Sequence, residues 1–171
     1  IDVLSDPRDL VRWWPSVYLD AQELRPGDAQ GIGRVIDLFT KGWLPYGLHW
    51  QFEVTEADPA TRLAIKASGD FEGQGVWTFE QDGEWVNVVY DWQIQADKPM
   101  LKYLSPIMKP LFSANHHWAM DMGLKSLELE LQRRQASSPQ QLAQIPAPPP
   151  PVPQWPFVAG AVAVVALIVG V

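Results

Sequence analysis

Hydrophobic and polar positions alternate with period two through the middle of the chain. Tyr46, Leu48, Trp50, Phe52 and Val54 alternate with Gly47, His49, Gln51, Glu53 and Thr55. Leu63, Ile65 and Ala67 alternate with Arg62, Lys66 and Ser68, with Ala64 the exception. Phe71, Trp77 and Phe79 share a parity with Gly73 and Gly75, against Glu72, Gln74, Thr78 and Glu80. Val86, Val88, Tyr90, Trp92 and Ile94 oppose Asn87, Asp91, Gln93 and Gln95, with Val89 the exception. Such alternation predicts antiparallel strands with one wet face. Asp82-Gly83 predicts a hairpin turn, and Asp58-Pro59 and Arg25-Pro26-Gly27 predict further turns. Two more strands are expected over 17–24 and 33–40. Gly73 and Gly75 within one strand predict a bend or bulge.

Helical signals flank this block. Ser5-Asp6-Pro7 pairs a capping side chain with a first-turn proline, and the helix it opens must stop before Pro15. After Pro99 the period becomes helical again. Pro106 and Pro110 are expected to break the first part into a short helix and a turn. A long helix follows over 113–135, with Met120, Leu124, Leu127 and Leu131 as its apolar stripe, widened by Trp118, Met122 and Leu129. The pattern predicts an α+β domain: a meander of about six strands with one long helix lying across its concave face.

Composition divides the chain of 171 residues. Every charged residue lies at or before Arg134, whereas 137–171 holds eight of the 16 prolines. Residues 1–136 read as one globular domain and 137–156 as a linker, whose 146–153 stretch predicts a polyproline II spacer of ~3.1 Å per residue. Residues 157–171, FVAGAVAVVALIVGV, are uncharged and mostly apolar. As a helix they span ~22 Å against a hydrocarbon core of ~30 Å. They are therefore expected to be part of a transmembrane helix cut at its far end, with Trp155 as its interfacial anchor. Lys125, Arg133 and Arg134 upstream favour a cytosolic globular domain.

Charge and cysteine content narrow the chemistry. A net charge of −7 argues against a nucleic-acid partner. With no cysteine there is no disulfide framework, thiolate metal site or cysteine nucleophile. Asn115, His116 and His117 with Asp121 form the most suggestive polar group. His49, the remaining histidine, has the polar parity of its strand, so no metal site is expected. Asp91 and Glu72 fall on wet parities too, and Asp70 reads as a turn residue. No phosphate loop or dinucleotide fingerprint occurs, and no cofactor is implied. What stands out is tryptophan. Trp50, Trp77 and Trp92 fall on inferred inner faces with Trp118 on the facing helix, either as a plain core or as the walls of an apolar pocket.

The order of elements, together with Ser5-Asp6-Pro7, Trp13-Trp14-Pro15, Gly31-Ile32-Gly33, Gly75-Val76-Trp77-Thr78-Phe79 and the terminal amphipathic helix, resembles the START-like superfamily. That superfamily is also called SRPBCC or Bet v 1-like, and the likeness is to its bacterial polyketide cyclase/dehydratase-like branch. The resemblance covers about residues 1–136. It implies a helix-grip fold, a curved antiparallel sheet around the last helix with a cavity between them that holds lipids, sterols or polyketides. It also implies a strand ahead of the first helix, which this sequence lacks. The expected function is binding of an apolar small molecule or lipid near a membrane. The expected ligand-binding walls are Leu48, Trp50, Phe52, Trp77, Phe79, Tyr90, Trp92, Trp118 and Met122. Two alternatives remain. One is a cyclase/dehydratase-like enzyme with Tyr90 and His117 handling protons; the other is a membrane-tethered interaction domain whose tryptophans only fill the core.

Overall fold

The computed structural model describes residues 3–4, 6–58, 60–95 and 99–153, with side chains omitted at 95 and 99–109. The transmembrane helix expected over 157–171, and Trp155 with it, lies outside the described residues. Among those described, no helix is long and apolar enough to cross a membrane.

The chain opens with a single 3-10 turn, Pro7–Asp9, capped by the Asp6 carboxylate, which accepts from Arg8 N. It continues into α1, Leu10–Trp13, and stops ahead of Pro15 as the sequence requires. Six strands follow: β1 Tyr18–Arg25, β2 Val35–Lys41, β3 Gly47–Asp58, β4 Arg62–Gly69, β5 Glu72–Asp82 and β6 Trp85–Gln95. They form one curved antiparallel sheet in chain order, because each tight connection returns the chain beside its predecessor. The Asp82-Gly83 signal is realised. Asp82 pairs with Trp85, and Gly83 adopts φ +59°, the left-handed conformation that such a turn demands.

Of the bend or bulge expected in β5, the bulge is absent. Pairing runs unbroken from Glu72 to Asp82, and the register shifts fall in β1 and β3 instead. The β5 glycines have another task, described below. The inner face of the sheet holds the core: Ile36, Leu38, Trp50, Phe52, Val54, Ile65 and Ala67. In β3 and β4 these are the positions that the alternation assigns inward.

The C-terminal helix differs from expectation in three ways. First, α2 is continuous over Pro99–Gln135. Each proline removes only one N–H from the ladder, and the helix continues on either side of it. Second, its buried line is Gly123, Ser126 and Glu130, while Leu124 is 59% exposed and Leu131 is exposed as well. A Cβ at Gly123 would collide with the Trp14 ring, so the small residue is what lets α2 approach α1. About two turns further on, Arg12 reaches both Glu130 oxygens at 2.8 Å, and Arg134 adds a bond of 2.9 Å. Third, the described contacts of α2 run to the N-terminal turn and α1, to the loop between β2 and β3 and to the proline run. Among the described side chains of α2, none is packed against the sheet core.

The segment after α2 is not a free spacer. Ser138 caps a short helix α3, Pro139–Gln144, by accepting from Gln141 N. The proline run then lies against the domain. Arg133 donates to the Pro146 carbonyl, and Lys41 Nζ donates to the Val152 carbonyl at 2.9 Å.

Candidate functional site

The inner face of β3, β5 and β6 carries a continuous array of aromatic rings. Trp77 stacks on Tyr90 at 4.3 Å with planes 14° apart. Tyr90 continues to Trp92 at 5.9 Å, and Trp92 to Trp50 at 6.0 Å. Phe71, at the turn into β5, meets Trp92 edge-on at 5.9 Å and Trp50 at 5.1 Å. Cross-strand register sets this up, since Trp77 lies directly opposite Tyr90 and Gly75 opposite Trp92. A Cβ at Gly75 would stand 2.8 Å from Trp92 Cε3, so that glycine leaves the space over which the indole lies flat. Gly73 does the same for Ile94.

The array is graded in burial. Trp50, Phe52 and Phe79 are buried, whereas Phe71, Trp77, Tyr90 and Trp92 are half-buried. Toward the β6 edge the same face carries the exposed Val86, Val88 and Ile94. The buried rings therefore form the floor, and the half-buried ones form a surface open to an apolar visitor.

Few polar groups reach this surface. The Trp50 N–H is committed to Thr40 Oγ1 at 2.9 Å, so it is not free to orient a ligand. Burial pushes the Tyr18 phenol up to about 12. It pushes the Tyr90 phenol up as well, with the charge of Tyr18 adding to the rise. Tyr18 opens β1 and packs against the core, and Tyr90 lies in β6. Both stay neutral at physiological pH and act as hydrogen-bond donors rather than as bases.

The predicted residues divide accordingly. Leu48 packs half-buried against the core, Trp50 and Phe52 belong to that core, and Phe79 is buried outside this cluster. Trp77, Tyr90 and Trp92 line the open part. Trp118 and Met122 sit half-buried on α2 and do not join the sheet core. Tyr90 and His117 are not brought together. Tyr90 meets Trp77 and Trp92, while the exposed His117 uses Nδ1 against the Ser113 carbonyl at 2.7 Å. His116 is exposed with its pKa lowered by burial and by His117, and Asp121 is exposed. His49, Asp91 and Glu72 face solvent, as their parity predicts, and Asp70 accepts from His49 N at the β4–β5 turn. Among the described residues, no group of three His, Asp or Glu side chains is placed to hold a metal.

Two lining residues escaped the sequence reading as wall residues. Phe71 has the inward parity of its strand but stands before β5 begins. Tyr18 lies just before a register shift, which hides its parity. Compared with protein-family models, curated proteins and solved structures, the chain matches none of them.

Proposed function

We propose that this protein binds an apolar small molecule or lipid on the aromatic inner face of its sheet. On this reading the domain works as a START-like module, and the segment 157–171 tethers it to a membrane from the cytosolic side. One observation carries the proposal: Phe71, Trp77, Tyr90 and Trp92 form an unbroken aromatic surface that stays half-buried. Phe71, Trp77 and Trp92 pack against the core with one part of their surface and leave another part open. A flat apolar ligand with an acceptor group would stack on the indoles and take a hydrogen bond from Tyr18 or Tyr90. Tethering suits such cargo, because it holds the binding face at high effective concentration beside the lipid phase.

The test uses the full chain held in amphipol and the apolar probe 1-anilinonaphthalene-8-sulfonate, read by energy transfer from tryptophan. Trp92→Ala is expected to weaken binding about ten-fold, the loss of ~1.4 kcal/mol of ring contact. Trp85→Ala, which removes a 78%-exposed ring outside the array, is expected to leave affinity unchanged. A folded Trp92→Ala protein with wild-type affinity sinks the assignment of this face.

A further inference from the structure

The two ends of the sheet differ in chemistry. At one end β2 passes into β3 through residues 42–46, Gly-Trp-Leu-Pro-Tyr, and no charged residue occurs over 42–48. Pro45 and Tyr46 are exposed. The loop rests on α2, where Asn115 Oδ1 accepts from Leu44 N at 3.2 Å and the Asn115 side chain fills the space beside Gly42. Tyr46 meets Phe112 edge-on at 6.4 Å. Over 99–120, α2 contains no Asp or Glu and does contain Lys102 and Lys109. Among the described residues, the acidic groups near this end are Asp20, opposite Phe39, Asp70, which accepts from His49 N, and Glu72.

The opposite end gathers acid. Asp28, Glu56, Asp58, Glu80, Asp82 and Glu84 lie in or beside its turns. Its arginines are paired: Arg25 with Glu53, Arg34 with Glu23 and Arg62 with Glu56.

The proline strap points to the first end. Lys41, the residue before the loop, is buried and holds the Val152 carbonyl. From Val152 to Phe157, where the apolar run begins, the chain spans at most roughly 18 Å when extended. A tether that leaves the domain at Lys41 keeps the neighbouring loop close to whatever the apolar run enters.

We propose that residues 42–46, with the turn of α2 around Phe112, form the face that the domain lays on a lipid bilayer. The inference rests on the membrane reading of 157–171 and adds which end faces the lipid. Trp43 and Tyr46 lie at headgroup level, where amphipathic rings are favoured, and Pro45 meets the interface at the loop tip. The acidic end points away from anionic headgroups, and the acid-free half of α2 lies toward them.

Because the chain has no cysteine, single-cysteine nitroxide labelling tests this directly. Pro45→Cys and Glu84→Cys variants of the full chain are reconstituted into vesicles of phosphatidylcholine and phosphatidylserine. Tyr46→Cys serves as a second loop label. The expected result is a label at 45 or 46 relaxed several-fold more by oxygen than by a water-soluble nickel chelate, with the reverse at 84. If the chain floats with vesicles while loop and Glu84 labels are equally open to nickel, the docking face is wrong and the tether stands. If the chain does not float with vesicles, both fall. Trp43→Asp combined with Tyr46→Asp, checked for native circular dichroism, is expected to move a label at Ala114→Cys, an exposed position of α2 beside the loop, into water while flotation persists. An unchanged label there overturns the role of the loop.

Discussion

Gly75 is a residue whose value lies in an atom it lacks. Its missing Cβ lets the Trp92 indole lie across β5 toward Trp50 and Phe71. Gly75→Val is expected to lift that ring, to cost ~1–3 kcal/mol by overpacking, and to weaken probe binding as Trp92→Ala does. Urea denaturation and the energy-transfer titration check the two effects separately. Glu130 acts through charge. Hydrogen bonds from Arg12 hold its carboxyl down to about 2, against an ordinary value of 4.5, although burial opposes the shift. A folded value below the unfolded one means that the contribution is complete above pH 4.5 and is lost as pH falls toward 2. Arg12 is half in water, so roughly 2 kcal/mol is expected rather than the full buried-pair figure. Glu130→Gln should lower stability by that amount at pH 7 and show a flatter decline below pH 4.5 in acid denaturation series.

At the level of elements, the edges of the sheet contrast. β1 carries Asp20, Glu23 and Arg25 and two register shifts, devices that discourage pairing with another chain. β6 pairs with β5 in continuous register, its single charge is Asp91, and Trp85, Val86, Val88 and Val89 along it are exposed. Such an edge is open to strand addition. Val89→Lys is expected to leave thermal stability within ~0.5 kcal/mol and to reduce concentration-dependent association in sedimentation velocity. Strands, order and hairpin turn were legible because alternation and turn chemistry are local. The bulge was not. The sequence says that a strand glycine leaves room, but whether that room bends the backbone or admits a neighbouring ring depends on β6. The apolar stripe of α2 misled for a similar reason: Leu124 and Leu131 have core spacing, yet α1 selects the line with Gly123 and Glu130.

Over the whole molecule, the proline strap and the charge distribution share a direction. Lys41 loses solvent beneath the strap, and burial lowers its pKa, so its bond to Val152 replaces lost hydration. Lys41→Met is expected to release the strap. A Val152→Cys thiol, half-covered at present, should then react with maleimide several-fold faster than in the Lys41 background, with labelling at Ala147→Cys unchanged. Equal rates at 152 would show that Lys41 does not hold the segment.

The amino-acid sequence determined the strand meander, the inward set of aromatic residues, the capped N-terminal turn and the division between charged domain and uncharged tail. Each follows from backbone periodicity or from composition, which need no knowledge of distant contacts. The tertiary structure alone decided which inward rings are buried and which stay half-open, which face of α2 is buried, and that the strap returns to Lys41. Those outcomes depend on separations between residues far apart in the chain. Only the curvature of the sheet and the path of α2 fix such distances.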